Sequence, residues 1–280
     1  MRGALSSGPL AHAQARLSLR ETSPPAALSR ILFMIRHLLA VLTFAIAPLA
    51  MSAEVQVLSA GAVEPGLVAA AAQFQRATGH TVKINYATAP VLRKKITDGE
   101  MPDVLIATSA VVKDFDAAGR FVAGSAAPVG RVGVGVTVRK GAPFPEIGST
   151  DAMKRSLLAA ESLVYNEAST GIYFAGLLDK LGIAADLKPK TRRYPNGEAV
   201  MEHVIHGKGA EIGVGAITEI NLFIEKGLRY VGPLPADVQN YTSYAAAQMG
   251  GAKNAEAAQA LVKFLTGAEG RKLFIAAGIE

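Results

Sequence analysis

Four short stretches of this 280-residue chain set small, hydroxyl or amide residues just ahead of a helical pattern. They are Ala60-Gly61-Ala62, Thr88-Ala89-Pro90, Ser169-Thr170-Gly171 and Asn196-Gly197. A helix start exposes backbone N–H groups that lack intrahelical acceptors, and it carries the positive end of the helix dipole. Side chains this small let a ligand approach the backbone closely. An anion could then be held by N–H and O–H donors, with no formal cation in the site. Taken singly, each stretch is an ordinary N-cap. Their recurrence at the ends of apolar runs in both halves of the chain makes them candidate ligand contacts.

Other chemistry finds less support. The chain has no cysteine, which excludes disulfide scaffolds, cysteine-ligated metal centres and a cysteine nucleophile. His203 and His206 stand three apart on a helical stretch without a third ligand nearby, the pattern of a solvated helix face. Val132-Gly133-Val134-Gly135 resembles half a dinucleotide fingerprint, but it lies inside a strand and opens no helix, so it reads as hinge or packing. Lys94, Lys95, Arg192 and Arg193 read as solvated surface, with a cleft-facing pair as the alternative. Asp103 after Pro102 reads as structural turn chemistry. No Ser–His–acid order and no paired-carboxylate motif stands out, so neither an enzyme nor a cofactor is expected. With no tryptophan and 6% aromatics, a base-stacking nucleic-acid binder is disfavoured.

The elements that must position these residues alternate. Strands are expected at 55–59, 81–86, 104–108, 132–138, 162–165, 191–194, 212–216, 229–231 and 241–249. Helices are expected at 64–78, 90–98, 111–118, 151–159, 171–181, 197–206, 218–226, 255–265 and 269–276, with Gly79 as a stop signal. Such alternation implies parallel sheets with crossover helices. The strands fall into two groups joined by extended crossings, giving one domain from 54–132 with 243–280 and another from 133–242. Ligands of such sheets sit beyond the carboxyl ends of the strands, here in the cleft between domains.

The net charge of +6 is concentrated at the front of the chain. Residues 1–53 hold five arginines and one acid, whereas 54–280 hold 24 basic and 22 acidic residues, so no nucleic-acid patch is announced. Met34-Ile35-Arg36-His37, the apolar stretch 38–47, Pro48 and the small residues Ala50, Ser52 and Ala53 have the grammar of a signal peptide over 34–53. The apolar run falls short of the roughly 20 residues a membrane span needs. Residues 1–33 read as an over-long start or, alternatively, an organelle transit peptide. A soluble, extracytoplasmic mature chain is expected.

The segments "VLSAGAVEPGLVAAAAQFQRATGHTVKINYATAPVLRKKITDGEMPDVLIATS", "STGIYFAGLLDKLGI", "GAEIGVGAITEI" and "ALVKFLTGAEGRKLFIAAGI" resemble the periplasmic molybdate-binding proteins of ABC importers. The resemblance implies an α/β, type II periplasmic binding protein fold, two lobes closing on an oxyanion. It also implies a monomeric receptor serving a membrane permease and ATPase. The family's two first-lobe serines fall on Ala62 and on Ala89 beside Thr88, and its ligand-contacting tyrosine falls on Ala216. Its backbone donors fall on Thr170 and within 196–198. Molybdate or tungstate is thus the implied ligand, with a bulkier organic anion admitted by the three alanines. A sensor role or a secreted α/β enzyme are the remaining alternatives.

Overall fold

The computed structural model describes residues 52–280, so the leader and nearly all of the 34–53 signal-peptide pattern lie outside the described residues. Strand β1 (Glu54–Ala60) runs through a 3-10 turn at Gly61–Val63 into helix α1 (Glu64–Thr78), which has Pro65 in its first turn. Gly79 ends α1 in the left-handed region at φ 76°, its N–H donating to the Gln75 carbonyl at 2.8 Å, a conformation glycine adopts without steric cost. Then follow β2 (Thr81–Ala87), α2 (Ala89–Thr97), β3 (Val104–Thr108) and α3 (Ser109–Ala117). β1 pairs in parallel with both β2 and β3, as the alternating pattern predicts.

The long strand β4 (Ala127–Arg139) leaves this unit, and a second series follows it. The series comprises α4 (Thr150–Ala159), β5 (Ser162–Asn166), α5 (Ser169–Lys180), a four-residue α6 (Ala184–Leu187), β6 (Thr191–Tyr194), α7 (Gly197–His206) and β7 (Glu211–Ala216). β5 is parallel to both β6 and β7. After α8 (Ile217–Asn221) and β8 (Leu228–Pro233), strand β9 (Tyr241–Gln248) returns to the first unit, where α9 (Ala255–Thr266) and α10 (Ala268–Ala276) complete it. The strand order is β2-β1-β3-β9-β4-β7-β5-β6, with β8 also on β4.

The two crossing strands run antiparallel to their neighbours. β4 pairs with β9 from Ala127 to Gly133 and with β7 from Val134 onward. At that change of partner Val134 N–H bonds the Asn240 carbonyl and its own carbonyl accepts from Leu234 N–H, each at 3.2 Å, and the Gln239 side-chain amide adds a further rung. Its Oε1 accepts from Val134 N–H and its Nε2 donates to the Val134 carbonyl, both at 3.0 Å. Gly135 is explained by packing: a Cβ there would lie 2.9 Å from Ile217 and from Tyr230. For the glycine pair, the packing reading corresponds to a close approach of α8 to β4.

Each lobe has its own core. One joins β1, β3 and β9 with α1, α9 and α10 through Leu58, Leu67, Phe74, Ile106, Leu261 and Phe274. The other lobe is apolar on both sheet faces: Leu163 and Tyr165 of β5 pack with Phe174 of α5, and Val164 between them packs with Met201 and Val204 of α7. A doubly covered parallel sheet requires this continuous apolar run. One expectation is corrected. The helix predicted over 218–226 ends at Asn221 and continues as tight turns, with Phe223 and Lys226 N–H bonded three residues back and Gly227 at φ 123°.

Candidate functional site

The strand ends of both lobes converge on one cavity of about 680 Å³, within the ~300–1,000 Å³ usual for small-molecule sites. Gly61, Ala62, Thr88, Ala89, Ser169, Thr170 and Asn196 all line it. The four stretches singled out in the sequence therefore face a common space. Gly171 and Ala216 do not line it. Gly171 N–H is already taken by Asn166 Oδ1 at 3.0 Å, and Ala216 is 2% exposed within the first lobe's core.

The local chemistry of each start is distinct. At α5 the Asn166 side chain accepts from Ala168 and Gly171 N–H, which steers the chain into the helix. A Cβ on Gly171 would overlap the Asn166 backbone, so glycine is required by close approach. At α7 Asn196 Oδ1 accepts from Ala199 N–H at 2.9 Å, an N-cap whose amide NH2 group keeps its donors. Thr88 and Ala168 precede their helices without a side-chain cap. Thr218, just after β7, donates its hydroxyl to the Ala62 carbonyl at 2.6 Å and ties α8 to the 3-10 turn.

The cavity is also lined by Glu198, at the end of the 196–198 stretch, and by groups outside the predicted contacts, including Tyr86, Thr108, Asn166, Glu219, Lys226 and Tyr244. Glu219 is the most consequential. It stands three residues past the Ala216 cap of α8, and Ala216 N–H bonds its carboxyl, the reach-back half of a capping box. The same carboxyl rests against two of the predicted helix starts. A Cβ on Gly197 would overlap it, and one on Gly61 would lie 3.2 Å from Oε1. Burial, offset in part by the Ala216 hydrogen bond and reinforced by nearby Glu64, pushes Glu219 up from 4.5 to about 7. The signal in the sequence was Glu219 at the third position after the Ala216 strand end. The longer helix expected from 218 hid it.

Glu64 is also raised, by burial first and Glu198 second, with Lys226 opposing. Tyr86 and Tyr244 are both raised by burial and by a neighbouring glutamate, Glu64 and Glu219 respectively, so both remain neutral phenols. The Tyr86 hydroxyl is buried without a hydrogen-bond partner among the described residues. Lys94 and Lys95 are spent on Asp98 and Glu100, and Arg193 lies over the Tyr165 ring, so none of these surface cations lines the cavity. His203 Nδ1 meets the Tyr194 hydroxyl at 2.6 Å and His206 pairs with Glu202. Among the described residues there is no cluster of three or more His, Asp or Glu that could hold a metal ion.

A cavity between two α/β lobes, walled by helix starts of both, is the architecture of a two-lobe α/β ligand-binding fold. The chain belongs to the family of bacterial extracellular solute-binding proteins, whose model matches residues 55–280. In sequence it is 27% identical over 232 residues to a protein named aconitate isomerase from Pseudomonas sp., covering 80% of this chain and 86% of the relative. In structure it resembles the periplasmic molybdate-binding protein of Azotobacter vinelandii, with TM-score 0.67 and 16% identity over 81% of this chain and 98% of the other. It also resembles the sulfate-binding protein SubI of Mycobacterium tuberculosis H37Rv, with TM-score 0.66 and 17% identity over 81% and 86%. At such identities the solved structures establish the fold. Among the described residues no helix is long and apolar enough to cross a membrane.

Proposed function

We propose that this protein is an extracytoplasmic receptor for a small organic anion carrying carboxylate groups, which it delivers to the permease and ATPase of an ABC importer. The observation that carries the reading is the cavity itself: neutral donors from both lobes surround it, and the Glu219 carboxyl stands where two helix starts meet. A tetrahedral dianion such as molybdate calls for donors on every side. Here alanines occupy the three positions where the resemblance places side-chain donors, and Glu219 adds a carboxyl beside the helix starts. A flatter, larger carboxylate uses the space left at Ala62 and Ala89 and tolerates a neighbouring carboxyl. The relative named for aconitate, an unsaturated tricarboxylic acid, supports the same ligand class.

Calorimetric titration with cis-aconitate, trans-aconitate, citrate, molybdate, tungstate and sulfate tests the proposal. A carboxylate is expected to bind at micromolar concentration or tighter, and the tetrahedral oxyanions at least tenfold more weakly. Thr170→Val, at the α5 start, should weaken the carboxylate by roughly tenfold or more, the worth of a hydrogen bond to a charged group. Preference for molybdate would overturn the ligand assignment in favour of the oxyanion receptor.

A second reading has its own observation. A cleft carboxyl that titrates near neutrality suits general acid–base chemistry, and the sequence relative is named as an isomerase. Proton NMR of cis-aconitate incubated with the protein separates the two readings. Accumulation of the trans isomer would identify an enzyme, and unchanged substrate at saturating binding would leave the receptor.

A further inference from the structure

We propose that Glu219 enters the complex as a carboxylic acid and donates a hydrogen bond to a carboxylate of the bound anion, so that capture at a pH where the free carboxyl is ionised draws a proton from solvent into the cleft. The inference rests on the carboxylate-receptor reading above and adds to it a residue that meets the ligand and the proton linkage that follows.

The charge inventory of the cavity leads to it. Three carboxyl groups line the walls: Glu64 in the first turn of α1, Glu198 in the first turn of α7 and Glu219 in α8. The only cation lining the cavity, among the described residues, is Lys226. The other titratable groups facing the space are the phenols Tyr86 of β2 and Tyr244 of β9, both held neutral. Glu64, Glu198 and Glu219 appear in no ion pair with another described side chain. A fully ionised cavity would therefore repel the anion it is built to hold, because like charges at low dielectric are costly. Removing one negative charge by protonation is the inexpensive remedy, and Glu219 is the group placed for it.

Its position gives the two carboxyl oxygens different tasks. Ala216 N–H bonds the carboxyl from the helix side, and the backbone at Gly61 and Gly197 closes around it. Among the described residues no cation is within ion-pair distance of it to favour the ionised form. The oxygen left free by Ala216 can carry the proton and offer it to a ligand oxygen. An approaching anion raises the carboxyl's proton affinity further, since a nearby negative charge disfavours a second. Binding should then draw in a proton at any pH where the free carboxyl is partly ionised. The hydrogen bond it donates, and the proton it takes up, make Glu219 a positioning residue for the bound carboxylate.

The test is calorimetry with trans-aconitate and citrate between pH 5.5 and 8.5, each in two buffers of different ionisation enthalpy. The wild-type protein should take up close to one proton per ligand at pH 8, with affinity falling about tenfold per pH unit above pH 7 and levelling below it. Glu219→Gln keeps a donor of the same shape but cannot titrate. It should bind with the wild type's low-pH affinity at every pH, and the ligand's own ionisation, common to both proteins, cancels in the comparison. The buffer measurement on the wild type needs no variant, so misfolding of Glu219→Gln would not shelter the idea. Binding with no proton uptake at pH 8, or an unchanged pH slope in Glu219→Gln, would overturn the inference while leaving the receptor reading intact. If no carboxylate binds, both fall together.

Discussion

At the scale of the residue, Glu219 separates what local sequence encodes from what packing creates. The cavity-lining positions Gly61, Thr88, Ser169, Thr170 and Asn196 were legible because a helix start is a local event, written in a few adjacent residues. Glu219 was not, because its meaning depends on Gly61 and Gly197, which are remote in the chain and bring backbone against its carboxyl. That environment has a consequence for stability. The folded carboxyl titrates near 7 against an ordinary 4.5, so the folded state binds the proton more tightly than the unfolded chain does. Its contribution is complete below about pH 4.5 and is lost as pH rises through 7, a decline on the order of 3 kcal/mol at most. Glu219→Gln should abolish this portion of the pH dependence. Thermal melts at pH 5 and pH 8 are the check: the wild type should lose more stability than the variant over that interval. Parallel melting curves would mean that Glu219 stays ionised in the fold.

At the scale of the element, most boundaries followed from apolar periodicity and stop signals, and α1, β3, β6 and α7 occupy the expected ranges. The departure at α8 has a physical cause, since the i to i+3 turns after Asn221 satisfy the backbone without continuing a helix. Asp103 shows how one side chain fastens elements together. Its carboxylate accepts from Gln56 N–H of β1 at 2.9 Å, from Asn254 N–H ahead of α9 at 3.1 Å and from Asn254 Nδ2 at 3.3 Å. Burial pushes its pKa up, but hydrogen bonds from Gln56, Asn254 and Lys253 outweigh that and hold it below the usual 3.8. A depressed carboxylate stabilises the fold above its unfolded value and loses that effect as pH falls through the folded one. The turn chemistry read from Pro102-Asp103 is thus a three-way staple. Asp103→Asn should lower stability by roughly 2–3 kcal/mol, the scale of charge-assisted hydrogen bonds lost. Urea unfolding at pH 7 measures it, and a midpoint equal to the wild type's would show the staple to be idle.

At the scale of the whole molecule, the double crossing of β4 and β9 makes two lobes with a cavity between them. The crossing was legible in the sequence as two long extended runs, but the rung supplied by Gln239 was not, since a side-chain amide bonding to backbone leaves no periodic trace. We propose that 54–132 with 243–280 and 133–242 move as two bodies about this crossing and close on the ligand. The switch of β4 from β9 to β7 between Gly133 and Val134 is where the strand passes from one lobe to the other. The Thr218 hydrogen bond to the Ala62 carbonyl holds the turn beside the cavity to α8, so opening is restrained there and must occur at the outer mouth. Hinge closure of this kind encloses the ligand and strengthens each hydrogen bond by excluding water. Small-angle scattering of the protein alone and saturated with trans-aconitate, or with whichever anion of the calorimetric series binds tightest, tests it. The radius of gyration should fall on saturation, and Gln239→Ala, which removes the rung, should widen the unliganded distribution while preserving the compact liganded form. An unchanged radius at full occupancy would mean that the lobes do not move, and that ligand exchange runs through the mouth of a rigid cleft.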